Sequence, residues 1–207
     1  MGWLPDGAAA ATVTAMTTPT LHHAGLLWRP FQDNDAAAFA AAVRESVASV
    51  APWMPWCTST YTQVQALEWF AHCRAQAASG AALEYGTFCQ DSGEFLGGAG
   101  LNEIRQQHKL CNLGYWVRQS RQRQGVALRS VQALSRHAFE TLGLQRVEIV
   151  AAVGNSASAN VALKAGALRE GVARNRLYLH DRPVDAQMFS LLPPGSPRND
   201  ERDQQQR

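Results

Sequence analysis

Between residues 110 and 142 an apolar stretch, Leu110–Arg118, runs into a short basic loop and then into a helix. This order constrains the fold more than any other feature of the chain. The loop reads Arg121-Gln122-Arg123-Gln124-Gly125-Val126-Ala127. The helix, from about Gly125 to Leu142, carries Leu128, Val131, Leu134, Ala138 and Leu142 at helical spacing and stops at Gly143. A strand that runs through a short loop into a helix N-terminus leaves backbone N–H groups unpaired, and these converge with the positive end of the helix dipole. Such a place suits a phosphate or pyrophosphate. Gly125 and the small Ala127 let the backbone approach the anion, and Arg121 and Arg123 add charge. The bland alternative is a loop of solvated arginines. No Gly-Lys-Ser/Thr follows, so this is not a nucleoside-triphosphate loop. A single glycine with no parallel β-α-β before it is not a dinucleotide fingerprint.

The rest of the chain reads as alternating short elements. Leu26–Pro30 is a first short strand. Asp33 or Asp35 caps an Ala-rich helix to about Val50, with Phe39, Val43 and Val47 on one face. Pro52-Trp53-Met54-Pro55-Trp56 ends it and gathers two tryptophans in one loop, as a plug over the core or a wall of a cleft. Thr60 or Thr62 caps a second helix to about Ala78, with Leu67, Phe70 and Cys73/Arg74 inward. Leu83–Gln90 and Glu94–Ile104 form a hairpin around Asp91-Ser92-Gly93. Gln145–Val153 is a nearly continuous apolar strand, as in a buried sheet centre. A short helix over 158–165 closes at Gly166, and Leu168–Leu179 and Val184–Leu192 form a last hairpin. The fold class is α+β with a mixed sheet. Residues 1–25 read as a loose arm, 26–192 as the domain, and 193–207 as a polar disordered tail. Met16 is a second plausible start.

Composition narrows the function. The chain has 207 residues, 46% hydrophobic and 17% charged, which is a globular composition. No apolar run approaches the roughly 18 residues of a membrane-spanning helix. The net charge of +2 hides a polarity: residues 1–104 carry −6, residues 105–176 carry +9 and the remainder −1. The basic segment coincides with the anion loop. Cys57, Cys73, Cys89 and Cys111 form no Cys-x-x-Cys pair, and His108-x-x-Cys111 lacks a second pair, so the thiols read as reduced, the metal set as none and the compartment as cytoplasmic.

Gln122-x-x-Gly125-x-Ala127 resembles the acyl-CoA pyrophosphate motif of the GNAT acetyltransferase superfamily, Gln/Arg-x-x-Gly-x-Gly/Ala. Trp53-Met54-Pro55-Trp56, Leu113-Gly114-Tyr115-Trp116-Val117, Asn155-x-x-Ser158, Lys164-Ala165-Gly166-Ala167 and Arg169-Glu170-Gly171 resemble its RimJ/RimL-type group, which acetylates protein N-termini. The matches keep their order over about residues 26–192. The resemblance implies the GNAT fold: a mostly antiparallel mixed sheet of about six or seven strands, two central ones splayed, with about four helices. It implies acetyl-CoA as cosubstrate, its pyrophosphate at Arg121, Gln122, Arg123, Gln124, Gly125, Val126, Ala127 and Leu128. Its pantetheine arm would lie along Tyr115, Trp116 and Val117 and reach Asn155 and Ser158. It implies direct attack by a primary amine, a protein N-terminus first, and relatives of this group often dimerise.

The proton-transfer groups follow less directly. The Tyr that many GNAT members carry before the closing Gly is replaced here by Ala162, so Ser158 is the substitute acid, with Tyr178 a weaker candidate. Relatives often place an acid just before the Leu-Gly-Tyr-Trp strand, where this chain has Asn112. Glu103 is then the nearest base or amine anchor, ahead of Glu84 and His108, and Glu170 stands at a family-typical position that equally suits an ion pair. Trp53, Trp56 and Glu103 are the expected acceptor contacts. Two alternatives are a small-molecule acetyltransferase and a non-catalytic acyl-CoA-binding module. A nucleic-acid module using Arg118, Arg121, Arg123, Arg129 and Arg136 lacks an aromatic stacking face.

Overall fold

In the computed structural model, which describes residues 18–196, an antiparallel chain of short strands meets a single parallel junction. The strands are β1 (Leu21–His23), β2 (Leu26–Arg29), β3 (Leu83–Cys89), β4 (Phe95–Arg105), β5 (Leu110–Val117), β6 (Arg146–Ala152), β7 (Leu168–Leu179) and β8 (Arg182–Leu191). They form one sheet in the order β1-β2-β3-β4-β5-β6-β8-β7. Every neighbouring pair is antiparallel except β5 and β6. The five helices are α1 (Ala36–Glu45), α2 (Val47–Val50), α3 (Gln63–Ala78), α4 (Val126–Glu140) and α5 (Ser156–Lys164). No helix among the described residues is long and apolar enough to cross a membrane.

The period-2 alternation of β3 divides the molecule. Leu83 and Tyr85 point to the face covered by α4 and α5, while Phe88 points to the face covered by α1 and α3. On the first face Leu101, Leu113, Val131, Leu134, Ile149 and Phe189 pack together, and Trp28 donates its indole N–H to Ser130 Oγ at 3.0 Å. On the second face Phe31, Phe39, Phe70 and Phe95 form an aromatic cluster; Phe31 stacks on Phe70 at 4.6 Å and Phe39 meets Phe70 edge-on at 5.4 Å.

Several boundaries differ from the sequence expectation for local reasons. The sheet has eight strands because Leu21–His23, assigned to the arm, pairs with β2. Ala24 and Gly25, with φ of +47° and +77°, make the tight turn between them. The rest of the arm up to residue 17, including Met16, and the tail from 197 lie outside the described residues. The helix expected to run to Val50 breaks at Ser46, whose hydroxyl donates back to Ala42 O at 2.6 Å and accepts Gln119 N–H at 3.0 Å. Thr62, not Thr60, caps α3, in a capping box with Gln65. The buried stripe of α3 is Ala66, Phe70 and Cys73, so Leu67 faces solvent.

Candidate active site

The register of β5 creates the site. Its parallel pairing with β6 covers only Leu110, Cys111 and Asn112. From Leu113 to Val117 the strand keeps its β4 partner but leaves β6, so one edge of its backbone faces a cleft. The cleft measures about 640 Å³. Tyr115, Trp116 and Val117 form one wall, Ile149 to Ala152 of β6 the other, and Asn155 and Ser158 of α5 close one side.

The loop Gln122–Gly125 caps one end of the cleft. Arg123 and Gly125 take positive φ, +61° and +76°. Alternating left-handed residues of this kind turn successive N–H groups into one concavity. The N–H groups from Arg123 to Leu128 have no backbone acceptor among the described residues. Two of their carbonyls are held on the other side: Arg129 donates to Gly125 O and Gln124 O at 3.3 and 2.9 Å, and also to Ala24 O of the β1–β2 turn at 2.9 Å. Gln122 ties the loop down by donating to Val117 O and Ser49 Oγ at 3.0 and 2.9 Å. Gly125 is required by its dihedral, since a Cβ there would meet nothing nearer than Arg129 Nε at 3.9 Å.

The arginines divide. Arg118 pairs with Glu45 and Glu94, and Arg121 with Glu94 at 2.6 Å. The Arg118 guanidinium holds Glu45 down to about 2, against desolvation that pushes it up. Arg121 therefore braces the loop while lining the cleft. Arg123 and Lys164 also line it, and neither forms an ion pair among the described residues. The residues present fit a pyrophosphate: an N–H concavity, a helix N-terminus and two unengaged cations.

Halfway along the cleft the Tyr115 hydroxyl lies 3.1 Å from both Ser158 Oγ and Ser158 O. Burial pushes the phenol up to about 12, so it stays protonated at neutral pH. Ser158 is fixed because Asn155 Oδ1 accepts its N–H at 3.1 Å and caps α5. The sequence assigns Tyr115 only a backbone role; the structure adds a pair of hydroxyls that can supply a proton inside the cleft.

A second cavity of about 330 Å³ adjoins the first through Met54, Gly114, Tyr115 and Trp116. Its walls are aromatic. Trp116 meets Trp56 edge-on at 5.5 Å and Phe39 at 5.6 Å, and Tyr61 and Trp69 complete the enclosure. Glu84 is its one acidic side chain. Asn102 Nδ2 donates to Glu84 Oε1 at 3.3 Å and Asn112 Nδ2 donates to Asn102 Oδ1 at 2.8 Å. Burial pushes the Glu84 carboxyl up to about 7, partly opposed by the Asn102 bond.

The expected residues are therefore distributed. Trp53 lines the first cavity and Trp56 the second. Gln122, Arg123, Gly125, Val126, Ala127 and Leu128 line the first, while the Gln124 side chain turns away to donate to Ser120 O at 3.2 Å. Glu103 lines neither cavity. It sits exposed at a β4 bulge with φ +49°, paired with Arg105 at 3.2 Å, and the bulge turns its side chain away from the cleft. His108 and Tyr178 are also outside, bonded to Gln107 and to Asp181 O. Glu170 forms the ion pair, with Arg146, which holds it down to about 2. All four cysteines are free thiols.

The chain is similar to known proteins. Residues 26–168 match the acetyltransferase (GNAT) domain family. Bacillus subtilis YoaA, named as an uncharacterized N-acetyltransferase, is 30% identical over 112 residues, 54% of this chain and 63% of its own length, so the chain spans less than two thirds of that relative. Bacillus subtilis YdaF, whose name proposes a ribosomal N-acetyltransferase, is 30% identical over 169 residues, 79% of this chain and 89% of its own. A Vibrio cholerae structure proposed to be a ribosomal-protein-serine acetyltransferase superposes with a TM-score of 0.77 at 28% identity, covering 86% of this chain and 99% of that one.

Proposed function

The chain belongs to the GNAT acetyltransferase family, and from that premise we propose that it transfers an acetyl group from acetyl-CoA to a primary amine, the α-amine of a protein N-terminus. The observation that carries this reading is the parting of β5 from β6 beside the unpaired N–H groups of α4. A pyrophosphate at those groups would lay the attached arm along the free edge of Leu113–Val117, with the thioester beside Tyr115 and Ser158. The names of YdaF and of the Vibrio cholerae protein support a protein amine as acceptor.

In this reading the backbone of the loop binds, and β5 orients the thioester. The neutral amine attacks the carbonyl carbon, the C–N bond forms, and the C–S bond breaks. The Tyr115–Ser158 hydroxyl pair delivers a proton to the leaving sulfur, and the amine loses one in exchange. Trp53 and Met54, which line the cleft, would help exclude water from the thioester. We also infer a cytoplasmic location, supported by the four free thiols. Pairing of two copies is supported by the exposed Leu168, Val172 and Tyr178 of edge strand β7.

The test is calorimetric titration with acetyl-CoA, followed by thiol release with peptides starting Ser, Ala or Met. Micromolar binding and peptide-dependent release are expected. Binding without release for any amine would leave a regulatory acyl-CoA module instead.

A further inference from the structure

The acidic half of the chain is largely neutralised. Asp33, Asp35, Glu45, Glu94 and Glu103 each pair with an arginine. Like the exposed Glu68 and Asp91, Glu84 makes no ion pair among the described residues, but it alone of the three is half-buried, in the wall of the second cavity. A carboxylate withdrawn from water without a cation is costly unless a ligand supplies one.

Its surroundings are arranged to keep it open toward β5. Glu84 stands opposite Gly100 in the β3–β4 register, and Gly100 stands opposite Gly114 in the β4–β5 register. A Cβ at Gly100 would overlap the Glu84 carboxylate. Two glycines thus leave an unobstructed lane across the sheet, from the carboxylate to the strand edge on which the thioester would rest. The polar chain Asn112–Asn102–Glu84 fixes Oε1 only, and its far end, Asn112 Oδ1, is buried without a partner. The other titratable groups against Glu84 are the Cys73 thiol of α3 and the Tyr85 phenol of its own strand, both pushed up and hence neutral. Around this one charge stand Phe39, Trp56, Tyr61, Trp69 and Trp116.

We propose that the second cavity is the acceptor subsite, that it takes an ammonium carried on a large apolar or aromatic group, and that Glu84 is both its anchor and the base that deprotonates it. The proposal rests on the acetyl-transfer reading and adds the acceptor class. The ammonium gives one proton to the Glu84 carboxylate, and the freed lone pair forms the C–N bond as the C–S bond breaks. A second N–H proton goes to the sulfur, and Glu84 later releases its own to water. Ammonium, thioester and products balance with one proton released. A cavity of about 330 Å³ walled by aromatic rings is far larger than a serine or alanine side chain needs. A protein N-terminus beginning with Phe, Leu or Met fills it, and the rings also attract the ammonium.

The experiment titrates Phe-Ala-Ala-amide and Ser-Ala-Ala-amide into the protein saturated with CoA, for wild type and Glu84→Gln. Expected is at least a tenfold preference for the Phe peptide. Glu84→Gln should lose at least tenfold in its affinity, bind CoA within threefold of wild type, and no longer distinguish the Phe peptide from its N-acetylated form. With acetyl-CoA, kcat/KM of the wild type for the Phe peptide should fall on an acidic limb near pH 7, which in Glu84→Gln moves up to the ordinary range of a free peptide amine, about 7.7–8. A smaller preference, or a smaller loss in Glu84→Gln, overturns the proposal while leaving acetyl transfer intact. Failure of the wild type to bind CoA overturns the acetyl-transfer reading itself.

Discussion

The two cavities that meet at Tyr115 and Trp116 are built on opposite plans. The loop end of the first is made of backbone: the free edge of β5, the N–H groups of the Arg123–Leu128 loop and the dipole of α4. The second is made of side chains from β2's flank, α1, the Trp loop, α3, β3, β4 and β5. A backbone site depends on chain path and tolerates most side-chain changes, except where a dihedral demands glycine. A side-chain site also forms part of the core, so altering it changes stability and selectivity together. Substitutions in the two regions should separate these consequences.

The largest effect is expected in the aromatic half. Phe39 is fully buried, with ring contacts to Phe31, Tyr61, Phe70, Phe95 and Trp116. Phe39→Ala should cost about 3–5 kcal/mol. Its thermal midpoint should drop by on the order of 10 °C by calorimetry. Affinity for acetyl-CoA, measured well below that midpoint, should stay within a factor of three. A parallel fall in affinity would mean the two cavities are one cooperative unit.

Gly125→Val is the converse. A left-handed dihedral costs a residue with a side chain about 1–2 kcal/mol, and the branched side chain also crowds the anion's approach. Acetyl-CoA binding should weaken about a hundredfold, roughly 2.7 kcal/mol, with a smaller drop in thermal midpoint than Phe39→Ala. Gly125→Ala, lacking the branch, should lose about tenfold. Retained affinity in the Val variant would show that the phosphate lies elsewhere.

At the junction, Tyr115→Phe removes the hydroxyl 3.1 Å from Ser158 but leaves the ring and β5 in place. The expected result is a kcat about tenfold lower, with acetyl-CoA affinity unchanged. Ser158→Ala should do the same. The double variant should be no slower than either single one if the two hydroxyls act as a unit. Additive losses would separate their roles.

The difference in plan also explains what was legible in the sequence. Gln122-x-x-Gly125-x-Ala127 is contiguous, because a loop and one helix turn supply the whole N–H concavity, and it lies within the family match over residues 26–168. Strand and helix order was readable because each element has its own period. The exceptions were set by tertiary partners: Ser46 breaks α1 because it must also receive Gln119, and Leu21–His23 is a strand only because β2 lies beside it. The candidate carboxylates differ in legibility for a related reason. Glu103 is near Asn112 in chain order, but the bulge turns it outward, whereas Glu84 reaches Asn112 through Asn102 only after β3 and β4 pair in register. Glycine at 100 was the available signal, and its meaning depends on knowing which residue stands opposite.

The smallest expected effect probes Glu84 without any ligand. Its carboxyl titrates near 7 in the folded protein against an ordinary value of 4.5. The native state therefore holds this proton more tightly than the unfolded chain, and stability from this group is lost as pH rises from about 4.5 through about 7. Glu84→Gln removes the penalty. Its thermal midpoint should match wild type at pH 4.5 and exceed it by several degrees at pH 8. Glu45 and Glu170, held near 2 by their arginines, act with the opposite sign, contributing stability that is lost as pH falls from 4.5 toward 2. That loss is common to both proteins and cancels in the difference. A midpoint difference that stays flat from pH 4.5 to 8 would mean Glu84 is solvated, and the second cavity would then lack the uncompensated charge that distinguishes it from the backbone-built first.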